Sequence, residues 1–221
     1  MPQSNPATRL RAALGTAFAA LLLFALGAGL ARAQMVEGKN YQRLSTPVPV
    51  ESGKKIEVIE FFSFGCPHCA DLEPILDGWL KKKPDDVEFR RIPVSFQRAW
   101  ENLGKTYYTL HAMGQDELAP KVFAAIHQNN KNLAEPKTFF DWAAANGLDR
   151  KKVEDMYNSF SVASQMSRSK QQAQMFNIQS VPTIIVDGKF ITASDRIGGH
   201  ANVPGAIDAL VAKARAERAK G

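Results

Sequence analysis

At 221 residues with 45% hydrophobic content, the chain can bury a single core with a sizeable insertion. Its net charge of +6, from 28 basic and 22 acidic residues, is too mild to argue for nucleic acid. Two cysteines are too few for a disulfide-stapled scaffold, and no nucleotide, flavin or metal motif is present, so no bound cofactor and no metal are expected.

Residues 1–33 read as a cleaved export leader. Arg9 and Arg11 give a positive start, Ala12 to Leu30 is apolar, and Ala31-Arg32-Ala33 offers a small-residue cleavage site. An uncleaved anchor is the competing reading of a run this long. Cleavage would leave 25 basic against 22 acidic residues, a net charge of +3. Export places the mature chain where disulfides can persist.

Residues 34–96 read as the first part of an α/β domain. Tyr41 to Leu44 is a short strand candidate. Ile56 to Phe64 is apolar and rich in β-branched and aromatic residues, as suits a strand buried on both faces. Glu60 interrupts that run. A helix should open at Cys66–Pro67, with Cys69, Leu72, Leu76 and Trp79/Leu80 on one stripe and Pro74 as a kink. Glu73 reads as a surface charge. Val87 to Val94 is a further strand, with Pro93 pointing to an edge or bulge.

From 97 to 176 the spacing turns helical and predicts an inserted helical domain. Its stripes are Trp100/Leu103/Tyr107/Leu110, Leu118/Val122/Ile126, Phe139/Trp142, Val153/Tyr157/Phe160 and Val162/Met166/Phe176. Asn146-Gly147 is a helix stop, and Asp149 can cap the next start. Residues 177–221 return to strands. Thr183 to Val186 and Lys189 to Thr192 flank an Asp187-Gly188 hairpin turn, and a last helix begins near Asn202.

The chemistry lies in Cys66-Pro67-His68-Cys69. A thiolate on Cys66 would sit at a helix start, stabilised by unpaired N–H groups and the positive dipole end. Cys69, one turn inward, can close a disulfide with it. Pro67 fixes the first turn and His68 adds a donor or a charge. Each feature favours the thiolate and so makes the disulfide a stronger oxidant. A bridge spanning so short a loop would do little for the fold, which favours chemistry over stapling. Glu60 would need a cation nearby or a raised pKa, and would act as a proton acceptor or electrostatic tuner near Cys69. A zinc site lacks a second cysteine pair, and His111, His127 and His200 show no paired ligand spacing.

Phe61 to Cys69 together with Ser180-Val181-Pro182-Thr183 resembles the DsbA family of periplasmic thiol:disulfide oxidoreductases. The resemblance implies a thioredoxin-like fold with an inserted helical domain. It implies that Cys66 is the exposed nucleophile and Cys69 its partner. Pro182 is implied to be cis and facing the cysteines, with Val181 giving backbone hydrogen bonds to an extended substrate. Glu60 falls at the family's buried acid position. Implied partners are unfolded exported proteins with free thiols and an inner-membrane, quinone-linked reoxidant of the DsbB type. An apolar surface using Phe64 and the 181–183 loop is expected to receive peptides. A disulfide isomerase or reductase of the same superfamily and a peptide-binding chaperone are the alternatives. Isomerases of this kind usually carry a dimerisation domain, which this sequence lacks, so a monomer is expected.

Overall fold

The computed structural model describes residues 35–220. The leader expected over 1–33 lies outside them. Five strands form one mixed sheet in the order β1-β5-β4-β2-β3. In chain order they are β1 (Gln42–Arg43), β2 (Ile56–Phe62), β3 (Val87–Pro93), β4 (Thr183–Val186) and β5 (Phe190–Ala193). β2 runs parallel to β3 and antiparallel to β4, and β4 pairs antiparallel with β5. Pro93, which has no N–H to donate, lies on an edge strand.

All seven residues of β2 are buried. Ile56 and Val58 face helices α1 (Pro67–Leu80) and α7 (Val203–Arg218), while Ile59 and Phe61 face the other side with Ile92, Phe176 and Ile185. Glu60 alternates in phase with Val58 and so points toward α1. Phe62, at the strand's end, enters a third cluster built by the inserted helices.

Between β3 and β4 lie α2 (Arg98–Ala112), α3 (Ala119–His127), α4 (Pro136–Ala145), α5 (Arg150–Tyr157) and α6 (Phe160–Met175). Prolines sit in the first turn of α1, α3, α4 and α7, where their missing N–H costs nothing. Asp149 caps α5 by accepting from the Lys152 N–H.

Two local expectations change. Phe160 does not close the α5 stripe. Ser159 caps a new helix by accepting from the Val162 N–H, which leaves Phe160 at the α6 start, 88% exposed. The hairpin is one residue longer than a two-residue loop, with Val186 opposite Phe190. Asp187 (φ 57°) and Gly188 (φ 60°) are both left-handed, as the turn predicted, but Lys189 remains in the loop. Its N–H closes the turn onto Val186, and its carbonyl accepts from Leu44 beside β1.

Candidate active site

Cys66 is the N-cap of α1, with extended backbone angles (φ −94°, ψ 118°). The first helical residue, Pro67, has no N–H. The Cys66 side chain makes no capping hydrogen bond, and the Cys69 N–H donates to the Cys66 carbonyl at 3.1 Å, but the His68 and Cys69 N–H groups at the positive helix end still favour a negative charge on the sulfur. Hydrogen bonding from Cys69 is the largest influence holding the Cys66 thiol down to about 6, followed by these backbone donors and the charge of His68. Cys69 goes the other way. Burial pushes its thiol up, and the neighbouring Cys66 and the Glu60 carboxylate add to the effect. The two sulfurs, three residues apart in sequence, are thus poised oppositely.

Neither cysteine is openly displayed, which corrects the expectation of an exposed nucleophile. Both carry free thiols, with Cys66 5% exposed and Cys69 fully enclosed. Cys66 is covered because its Sγ–H donates to the Val181 carbonyl at 3.5 Å. That carbonyl belongs to a cis Val181–Pro182 bond at the entry to β4. The Thr183 hydroxyl donates to the Ser180 carbonyl and holds this loop. The strand end before α1 is equally fixed. Cys66 N–H donates to Ser63 O, and Gly65 N–H to Ser63 Oγ.

Gly65 is required by close approach. A Cβ there would lie 2.5 Å from Trp100 Nε1 and 3.0 Å from Leu103 Cδ1, both on α2. From α3, His127 Nε2–H donates to the Phe64 carbonyl at 2.7 Å. The inserted helices therefore clamp the turn that presents Cys66. The sequence reading placed Trp100 on a helical stripe and His127 among histidines without ligand spacing, but not against this turn, because their partners lie far off in sequence.

Phe64 was expected on a peptide-receiving surface. It is instead 1% exposed, packed edge-on against Phe62 and Phe123 with ring centroids 5.2 and 4.9 Å away. The helical insert caps the end of β2 and takes this ring into its core. The exposed aromatic near the turn is Phe96, which lies against Trp100 with centroids 5.8 Å apart.

Glu60 is buried and paired. Arg91 Nε donates to it at 2.8 Å from the facing position on β3. Arg91 also donates to Glu73 at 2.6 Å. Glu73 is therefore no surface charge but a buried one, 5% exposed. It falls four residues after Cys69, on the stripe that carries Leu72 and Leu76, and that periodicity was the available signal. Burial raises both carboxyls, Glu73 to about 7, with Arg91 opposing the shift. Burial alone would lower Arg91, but the two carboxylates more than offset it and keep it charged.

His68 is exposed on the outer side of α1, as is Pro67. The fold brings His200, from the turn before α7, to within 6.0 Å of it ring to ring. No regular spacing in the sequence joins these two histidines.

The thioredoxin family model matches residues 52–201. The thiol:disulfide interchange protein DsbA of Bordetella parapertussis is 38% identical over 214 residues, 96% of this chain and 99% of that one. The protein of the same name from Pseudomonas aeruginosa is 40% identical over 184 residues, 83% of this chain and 87% of its own. The crystal structure of Pseudomonas aeruginosa DsbA superposes with a TM-score of 0.80, covering 84% of this chain and 97% of that one. A dithiol at a strand–helix junction beside a cis-proline loop, in a chain matched over nearly its whole length, places this protein in the DsbA family of thiol:disulfide interchange proteins.

Proposed function

We propose that the oxidised protein donates its Cys66–Cys69 disulfide to exported proteins that still carry free thiols. The protein is a thiol:disulfide oxidoreductase, and the opposite poise of its two sulfurs sets the direction of exchange. A substrate thiolate attacks the Cys66 sulfur. The Cys66–Cys69 bond breaks, its electron pair passes to the Cys69 sulfur, and that sulfur, pushed up by burial, takes a proton. A second substrate thiolate then attacks the substrate sulfur of the mixed disulfide. Cys66 leaves as a thiolate, a good leaving group because its thiol is held down to about 6. The substrate gains a disulfide, and the protein keeps two electrons as a dithiol.

Glu60 and Glu73, bridged by Arg91, form the buried charge cluster beneath Cys69 and tune its proton. His68 and Pro67 tune the Cys66 thiolate. Val181 and the cis Pro182 offer backbone hydrogen bonds to an extended substrate strand, with the Val181 carbonyl moving from the Cys66 thiol to the incoming chain. Reoxidation falls to an inner-membrane, quinone-linked protein of the DsbB type, in the periplasm. No helix among the described residues is long and apolar enough to cross a membrane.

The observation that carries this reading is the capping position of Cys66. A sulfur anion there is favoured by the nearby His68 and Cys69 N–H groups and the positive end of the helix, and a disulfide forfeits that stabilisation. Equilibration of the protein with glutathione buffers tests it. An oxidising potential well above that of structural disulfides is expected. A disulfide that resists glutathione would refute the assignment.

A further inference from the structure

His68, Asp71 and His200 present candidate ligand atoms that all lie within 4.8 Å of one another. His68 and Asp71 are three residues apart on α1 and share one of its faces. His200 comes from a different part of the fold, following Gly198 (φ 82°) and Gly199 (φ 119°), whose left-handed backbone turns the chain toward α1. Its ring is already oriented. Ser194 Oγ lies 2.7 Å from its Nδ1, which leaves Nε2 for another partner. A ligating histidine is commonly held this way, with one ring nitrogen on an outer partner and the other on the metal.

From this we infer that His68, Asp71 and His200 bind one divalent ion of the zinc class at the rim of the Cys66 site. Two imidazoles and one carboxylate, with the remaining position open to water, match zinc's donor preferences. Zinc–ligand bonds of about 2.0–2.2 Å bring tetrahedral ligand atoms to roughly 3.4 Å apart. The exposed side chains of His68 and Asp71 close the remaining gap by rotation, while Ser194 holds His200 still. The ion would occupy His68 and stand beside the path to Cys66, so zinc would reversibly slow disulfide donation. The binding claim stands apart from the redox reading, and only the slowing depends on it.

The test uses oxidised, untagged full-length protein, in which the disulfide leaves no thiolate to compete for the metal. Calorimetric titration with zinc chloride should give one ion per chain. Histidine ring signals of His68 and His200 should shift together in NMR spectra. His200→Ala and Asp71→Asn should each weaken binding about tenfold or more, and Ser194→Ala should weaken it through loss of the outer partner. His200→Ala should leave zinc-free donation to a reduced peptide unchanged while removing its inhibition by zinc. Binding that survives both His200→Ala and Asp71→Asn would overturn the proposal. So would shifts centred on His111, whose Nδ1 lies 2.8 Å from Asp116 Oδ1, or no binding at all. Zinc binding without slowing would leave the site in place and refute only its effect on exchange.

Discussion

The stability of the reduced protein relative to the oxidised form should climb with pH at a slope fixed by Cys66. Its thiol sits at about 6 in the fold and at about 8.5 in an unfolded chain. Between those values the folded protein holds a thiolate where the unfolded chain holds a thiol. The unfolded state then binds one more proton, so stability rises by about 1.4 kcal/mol per pH unit. The gain is complete above the unfolded value and drains away as pH falls through about 6. Cys69 opposes this gain slightly at the top of the window, because burial keeps its thiol protonated in the fold while the unfolded chain begins to release that proton near about 8.5. Glu73, raised to about 7, titrates in both oxidation states and cancels from their difference. From about pH 6.5 to about pH 8, the stability of the reduced form relative to the oxidised form should grow by about 2 kcal/mol. Solvent reaching the sulfur screens part of this and leaves about 1–2 kcal/mol. The disulfide closes a ring of four residues and contributes an offset of about 2 kcal/mol on the chain-entropy model. That offset moves the level of the difference and leaves its slope untouched. Urea unfolding of both forms at several pH values measures it. Parallel pH profiles for the two forms would refute the reasoning.

Replacing His68 by Ala removes its charge but keeps the backbone N–H that faces Cys66. The Cys66 thiol should rise by less than about one pH unit, and the glutathione equilibrium should shift toward the disulfide by less than about tenfold. Thiolate absorbance against pH reads the first effect and redox titration the second. Gly65→Ala forces a Cβ to within 2.5 Å of Trp100 Nε1. A loss of about 1–3 kcal/mol is expected in thermal unfolding, with slower thiol exchange as the turn shifts. Unchanged unfolding would show that Trp100 yields freely. Arg91→Met leaves Glu60 and Glu73 buried without their cation. A cost of about 3–5 kcal/mol is expected at neutral pH, and it should shrink at acid pH as both carboxyls take protons. A loss equal at acid and neutral pH would exclude the charge explanation.

Much of the redox site was legible because its signals are local. A capping cysteine, a proline at the first helical position and a second cysteine one turn on are consecutive residues, so the helix start and the sulfur pair follow from spacing alone. The apolar run over β2 and the helical spacing of the insert likewise carry their own periodicity. Phe160 misled because its spacing fits either helix, and the Ser159 cap decides which one takes it. Glu73 misled because a charged residue on an apolar stripe reads as surface until its cation is found. That cation, Arg91, sits on a strand eighteen residues away.

The order of elements, the cysteine pair and the proline-led hairpin are properties of the sequence itself, since each rests on neighbours within a turn or two. Tertiary structure alone decided which side chains surround them. It withdrew Phe64 into the helical core and drew Val181 over Cys66. It set Trp100 and His127 against the turn and placed His200 beside His68. Those outcomes depend on how separate surfaces pack, and packing pairs residues whose separation along the chain carries no periodic trace.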